Sequence, residues 1–247
     1  MPKDFSLQFC SRSHTGKVKR NNEDYLRIHQ NGFLAAIADG MGGTDFGEVA
    51  SQIAVDASIE YLANTTSTKL LEKPAGELGN AVKYANEAII VIQRNEEKYR
   101  TMGSTLTCFL MINNQLHFSW VGDSRIYIVR PENTSIQMLT KDHTLDRNKI
   151  DATLAPDLYR RAPSILTQKV GSILLIQPDT GCFELKAGDI IVACTDGLSD
   201  RIDDQLLLEY GLKFAGNLEG YADKLLDRAL DCGGQDNISL ILAQVMS

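Results

Sequence analysis

Two apolar runs in this chain end on the same dipeptide. Phe33-Leu34-Ala35-Ala36-Ile37-Ala38 runs into Asp39-Gly40, and Ile190-Ile191-Val192-Ala193-Cys194-Thr195 runs into Asp196-Gly197. Each reads as a buried strand delivering a carboxylate to its end, followed by a glycine that lets backbone approach a ligand. Either dipeptide alone is explained by a turn. Asp39-Gly40-Met41-Gly42-Gly43, however, is too glycine-rich for a simple hairpin, Glu23-Asp24 precedes an earlier strand, and Asp236 precedes the last one. A site made of Glu23, Asp24, Asp39, the Gly40 carbonyl, Asp196 and Asp236 is all oxygen, without histidine or thiolate, and such ligands select Mg²⁺ or Mn²⁺ over Zn²⁺. Its carboxylates repel one another, and two divalent ions about 3.5–4 Å apart are the usual remedy, with Asp39 as the shared bridge. That pair would acidify a water for in-line attack on phosphorus, so the nucleophile would be solvent. A phosphate ester also needs a cation outside the metals. Lys17, Lys19 and Arg20 lie just upstream of Glu23-Asp24, although a solvated basic strand edge fits them equally well.

The elements that must carry these groups follow from periodicity. Residues 5–11 and 25–38 read as strands, the second group broken by a turn at Asn31-Gly32. Ala50, Ile53, Ala54, Ala57 and Tyr61 then recur at helical spacing, as do Leu78, Val82, Ala85, Ile89 and Ile92 after a polar loop from Asn64 to Thr68. A strand meander occupies Ser104 to Leu139, with turns at Asn113-Asn114 and Gly122-Asp123-Ser124. Residues 141–163 show no period and read as an irregular flap beside the site. Strands near Phe183 and Ile190, helices over Asp203 to Phe214 and Leu218 to Ala229, and a closing strand from Ile238 to Val245 complete the chain. Strands in clusters with helix pairs between them argue against a doubly wound parallel sheet and for antiparallel sheets covered by helices. Two packed sheets would bring Asp39, Asp196 and Asp236 to one edge.

Bulk properties bound the partners. The 247 residues suffice for a full core and read as one domain spanning 1–247. A net charge of −7 disfavours a general nucleic-acid or anionic-membrane surface. The cysteines Cys10, Cys108, Cys182, Cys194 and Cys232 are scattered and never spaced Cys-x-x-Cys, so they read as small buried apolar residues. The start, Met1-Pro2-Lys3-Asp4-Phe5-Ser6, lacks a signal-peptide core, and no run approaches the ~18 apolar residues of a membrane span. A reducing, cytoplasmic setting and a monomer are expected.

Taken together, Lys17-Val18-Lys19-Arg20-Asn21-Asn22-Glu23-Asp24, Ala38-Asp39-Gly40-Met41-Gly42-Gly43, Gly103-Ser104-Thr105, Val121-Gly122-Asp123-Ser124-Arg125, Thr195-Asp196-Gly197-Leu198 and Asp236-Asn237 resemble the ordered motifs of the type 2C metal-dependent Ser/Thr protein phosphatases. The resemblance covers nearly the whole chain. It implies an α+β fold, two packed antiparallel sheets flanked by helices on both sides as a four-layer αββα sandwich. It also implies a binuclear Mn²⁺ or Mg²⁺ centre and hydrolysis of phosphoserine or phosphothreonine in proteins, opposing a Ser/Thr kinase. By the matched motifs, Asp39 bridges both ions with help from the Gly40 carbonyl, Asp196 and Asp236 bind one ion, and Glu23 with Asp24 supports the other directly or through water. Asp123 matches the residue that, with the Asp196 position, holds a third, weaker ion. Turn closure alone would also explain it.

Two departures stand out. The family usually has arginine where this chain has Lys19, so the phosphate grip rests on a point charge or passes to Arg20. Met41 stands where many eukaryotic members carry a histidine, as in bacterial-looking members, and leaving-group protonation falls to water or another residue. An unperturbed histidine titrates near neutrality, which makes His143, in Asp142-His143-Thr144, a tempting acid, but a lone loop histidine is more often structural. Arg160 and Arg161 in the flap could meet a phosphopeptide or remain a solvated pair. Two other functions fit: a metal-binding module that recognises phosphoproteins without hydrolysing them, and a phosphatase confined to one regulatory partner or to small phosphoesters. The first is disfavoured because no matched ligand position carries a neutral side chain.

Overall fold

The computed structural model describes residues 5–41 and 46–247. The Gly42-Gly43 end of the first acidic motif and residues 1–4 lie outside them. Alternating apolar residues at the start build β1 (Ser6–His14) and β2 (Asp24–Ile28), and the first unbroken apolar run builds β3 (Leu34–Met41). The helical spacing that follows yields α1 (Gly47–Asn64) and, after the short α2 (Ser67–Glu72), α3 (Pro74–Asn95). The meander comprises β4 (Gly103–Ser104), β5 (Leu106–Ile112), β6 (Gln115–Val121), β7 (Arg125–Arg130) and β8 (Ser135–Met138). Asn113 and Asn114 link β5 to β6 with φ of 50° and 61°, the left-handed pair that matches hairpin twist. Beyond them come α4 (Pro156–Arg161), β9 (Asp179–Glu184), β10 (Ile190–Cys194), α5 (Asp196–Ser199), α6 (Asp204–Lys213), α7 (Leu218–Asp231) and β11 (Ile238–Met246).

Among the described residues these strands form two sheets. One has the order β1-β11-β10-β7-β8 and the other β2-β3-β5-β6-β9, with β4 added beside β3, and every pairing is antiparallel. Strand periodicity divides the side chains between layers. Ala35, Ile37, Phe109, Phe118, Ile191, Ala193, Ile241 and Ala243 meet between the sheets. The alternate residues Leu34, Ala36 and Leu106 pack under α1 and α3, and Tyr127, Val192 and Leu240 pack under α6 and α7. The result is the expected helix–sheet–sheet–helix sandwich.

Local structure departs from the sequence reading at several points. The polar loop expected from Asn64 to Thr68 runs into α2, whose start is capped by the Thr66 hydroxyl accepting from Lys69 N–H. Residues 141–163 are not wholly irregular: they contain a 3₁₀ turn at Arg147–Lys149 and α4, each too short to show a period. Of the cysteines, Cys10, Cys108 and Cys194 are buried, but Cys182 is exposed and Cys232 half-buried, which corrects the reading of all five as core residues. Cys182 follows strand alternation to the open face of an edge strand.

Candidate functional site

The acidic residues stand where the inter-sheet layer turns polar. Along β2, Leu26 and Ile28 face the opposite sheet, and Asp24 continues that face. Along β3, Ala35 and Ile37 do the same, and Asp39 follows them. The register sets Asp24 directly opposite Asp39, an arrangement that like charges oppose. From the facing sheet, the inward parity of β10 and β11 continues into Thr195 and Ser239, and both hydroxyls act on Asp24. Thr195 Oγ1 donates to Asp24 Oδ2 at 2.9 Å. Asp196 opens α5 rather than closing a strand-to-strand turn, and Asp236 sits just before β11.

Close backbone approach explains the glycines of both Asp-Gly pairs. A Cβ on Gly40 would lie 2.0 Å from the Gly47 carbonyl oxygen, and one on Gly197 would lie 1.9 Å from the Asn237 carbonyl oxygen. The Glu23 carboxylate lies against Gly47, where a Cβ would come 2.4 Å from its Oε1, at the N-terminus of α1, where a negative charge is favoured. Asn237 ties the segment carrying Glu23 to β11: its Oδ1 accepts from Glu23 N–H at 2.8 Å, and its Nδ2 donates to the carbonyls of Thr15 and Asn21 at 2.9 Å each.

The electrostatics are those of a crowded acidic pocket. Burial first, and then the charges of Asp24, Asp196 and Asp236, push the Asp39 carboxyl well above the ordinary carboxylate range. Burial also raises Asp24 against the hydrogen bonds from Ser239 and Thr195, with Asp196 and Asp236 adding to the rise. Asp196 is raised by burial, Asp236 and Asp200. Asp123 is pushed up to about 7 by burial and by the charges of Asp196 and Asp142. The chain answers this excess with Lys19, whose Nζ lies 2.7 Å from Asp236 Oδ1. Burial disfavours the Lys19 charge, but its hydrogen bond to Asp236 and the charges of Asp236, Asp39 and Glu23 together raise its pKa.

Two oxygens of the pocket, Asp24 Oδ1 and Asp196 Oδ1, are buried without any hydrogen-bond partner among the described residues. An unsatisfied buried carboxylate oxygen is costly, and a hard cation removes that cost, so the donor set fits divalent metal ions. Among the described residues no three His, Cys, Asp or Glu side chains stand as a preassembled ion cage. The carboxylates are instead electrostatic neighbours whose repulsion is offset within the chain by Lys19. Arg20 is exposed. His143 turns its Nδ1 toward the Gly122 N–H at 3.1 Å and its Nε2 toward Asp179 Oδ2 at 3.4 Å, away from the pocket's orphaned oxygens. Arg160 pairs with Asp157 in α4. Thr195, Ser239, Gly47 and Asn237 are structural partners of the site that periodicity does not single out.

A family model described as "Protein phosphatase 2C" matches residues 11–232. The chain belongs to the protein phosphatase 2C family. Among curated relatives it is 34% identical over 242 residues to the serine/threonine protein phosphatase PstP of Mycobacterium tuberculosis, covering 97% of this chain and 45% of PstP. It is 29% identical to the serine/threonine phosphatase stp of Listeria monocytogenes, covering 94% of each. The chain thus spans about half the length of PstP and nearly all of stp. Among solved structures, the PstP catalytic domain in complex with two manganese ions superposes with a TM-score of 0.82 at 32% identity, covering 99% of this chain and 100% of that one. A bacterial serine phosphatase superposes with a TM-score of 0.82 at 26% identity over 96% of this chain and 97% of the other. These likenesses bear out the 2C resemblance and the sandwich fold.

Proposed function

We propose that this chain is a metal-dependent protein serine/threonine phosphatase formed as a single catalytic domain, with residues 141–163 as a flap beside the site. The observation that carries the proposal is the pair of orphaned buried oxygens, Asp24 Oδ1 and Asp196 Oδ1, inside a carboxylate cluster that one lysine only partly neutralises. Membership of the 2C family and the manganese-bound PstP domain support the choice of Mn²⁺ or Mg²⁺. Asp39, with help from the Gly40 carbonyl, would serve both ions, Asp196 and Asp236 would hold one, and Glu23 and Asp24 would support the other directly or through water. Asp123 with Asp196 would hold a third, weaker ion. When bound, divalent cations supply the nucleophilic water and draw charge from the phosphoryl oxygens.

The chain's own residues do the rest. Thr195 and Ser239 orient Asp24, the α1 N-terminus and Asn237 fix Glu23, and Thr105 Oγ1 accepts from Asp39 N–H at 2.8 Å to hold the strand that presents Asp39. Lys19 stands beside Asp236 and is the candidate to grip a phosphate, with Arg20 as the neighbouring alternative. A phosphoprotein substrate and an opposing Ser/Thr kinase belong to this proposal, as does a cytoplasmic, monomeric setting. The free cysteines agree with a reducing compartment. Among the described residues no helix is long and apolar enough to cross a membrane.

A panel of phosphoSer, phosphoThr and phosphoTyr peptides, incubated with and without Mn²⁺, tests the reading. Release of phosphate from phosphoSer and phosphoThr peptides only with Mn²⁺, abolished by EDTA, is the expected result. Binding of the peptides without phosphate release would favour a recognition module instead.

A further inference from the structure

The Asp142-His143 dipeptide is not part of the acidic pocket, yet it grips both ends of the turn that carries Asp123. On the near side, His143 holds Gly122 twice. Its backbone N–H donates to the Gly122 carbonyl at 3.0 Å, and its Nδ1 accepts from the Gly122 N–H at 3.1 Å. On the far side, Asp142 holds Arg125 with two hydrogen bonds, from Nε at 3.0 Å and from Nη2 at 2.7 Å. Asp123 lies between these two grips, and its Ser124 neighbour is buried against Thr105 at 2.8 Å.

The clamp is itself braced. The His143 ring stacks on Trp120 with centroids 6.0 Å apart and planes 11° from parallel, and only 10% of its side chain is exposed. Trp120 Nε1 donates to the Lys141 carbonyl at 2.9 Å, and Thr167 N–H donates to the His143 carbonyl at 2.7 Å. Acceptance at Nδ1 places the ring proton on Nε2, directed toward Asp179. His143, at the start of the flap, therefore joins three pieces: the Gly122 turn, the end of β6 at Trp120, and the segment that follows the flap at Thr167.

We propose that His143, with Asp142, is a positioning residue that fixes the Asp123 carboxylate toward Asp196 and ties the placement of the flap to the weakest cation site. This inference rests on the reading of Asp123 as a ligand of that site. Partners that orient a ligand commonly change metal affinity by about tenfold or more when removed. Isosteres separate the two faces of the ring. An Asn Oδ1 can take the place of Nδ1 at Gly122, whereas a Gln side chain reaches toward the Nε2 position.

The test combines Mn²⁺ binding by calorimetry with amide hydrogen exchange at Gly122, on folded wild-type protein and on H143A, H143N, H143Q and D123N. The expected result is faster Gly122 exchange in H143A and H143Q, and weakest-site Mn²⁺ affinity about tenfold lower in both. H143N should retain both properties, and D123N should lose the weakest site with Gly122 still protected. Wild-type exchange and affinity in folded H143A would overturn the proposal, as would H143N behaving like H143A. Should H143A fail to fold, the contrast of H143N with H143Q still decides. Unchanged Mn²⁺ binding in D123N would instead remove Asp123 from the proposed site, and Gly122 exchange would then still show whether the clamp exists.

Discussion

At the scale of single residues, the site is a problem of uncompensated charge. Asp24 and Asp39 are directly opposed across two strands, and burial raises both carboxyls. Replacing Asp39 or Asp196 with asparagine keeps the shape and removes a charge. Both D39N and D196N are expected to abolish Mn²⁺-dependent hydrolysis of p-nitrophenyl phosphate while remaining folded by circular dichroism. Activity surviving either change would exclude the binuclear reading. Lys19→Ala removes the cation beside Asp236 and is expected to raise KM for phosphopeptide by an interaction worth about 1–3 kcal/mol, with a smaller effect on kcat. An unchanged KM would move the phosphate grip to Arg20. The chemistry-bearing acids were legible in the sequence because each ends an apolar run or precedes one. Their supports were not. Thr195 reads as part of an apolar strand, and only the packing of the second sheet reveals that its hydroxyl faces Asp24. Gly47 reads as an ordinary helical residue, although a Cβ there would lie 2.4 Å from Glu23 Oε1.

At the scale of elements, what positions the site is the parity of four strands. The alternation in β2, β3, β10 and β11 is readable as period-two patterning or as short apolar runs, and that pattern alone puts the acids at one edge. Short elements leave no mark in the sequence because a helix of the length of α4 or α5 shows little more than one turn of periodicity. One pinning contact between elements carries a clear energetic expectation. Asp189, with a side chain only 1% exposed, precedes β10 and accepts two hydrogen bonds from Arg130 at the end of β7, at 2.7 and 2.6 Å. Among the described residues, Arg130→Ala would leave that buried carboxylate with only the Lys186 N–H as partner, and is expected to cost on the order of 3 kcal/mol in urea unfolding. A cost within experimental error of zero would show that the pair does not anchor β7 to β10.

At the scale of the whole molecule, the acidic pocket makes stability depend jointly on pH and metal. Carboxyls raised above their unfolded values bind more protons in the folded state, so folding loses stability as pH rises from the unfolded value, about 4, through the folded one. For Asp123 that window runs up to about 7, and Asp24, Asp39 and Asp196 shift in the same direction. In EDTA, these groups are expected to lower Tm between about pH 5 and pH 7, with a shallower decline in D123N. Saturating Mn²⁺ should reverse the decline, since binding to the folded state alone adds stability in proportion to ln(1 + [L]/Kd). A wild-type pH profile in D123N, or one that Mn²⁺ leaves unchanged, would contradict this account of the pocket.

The most direct measurement is anomalous diffraction at the manganese edge from crystals grown in Mn²⁺. The expected map has two strong peaks, one against Asp39, Asp196 and Asp236 and one against Asp39 and the Glu23-Asp24 segment, with a weaker third beside Asp123. A map with no anomalous density among these side chains at saturating Mn²⁺ would contradict the claim that the carboxylates gather to hold metal.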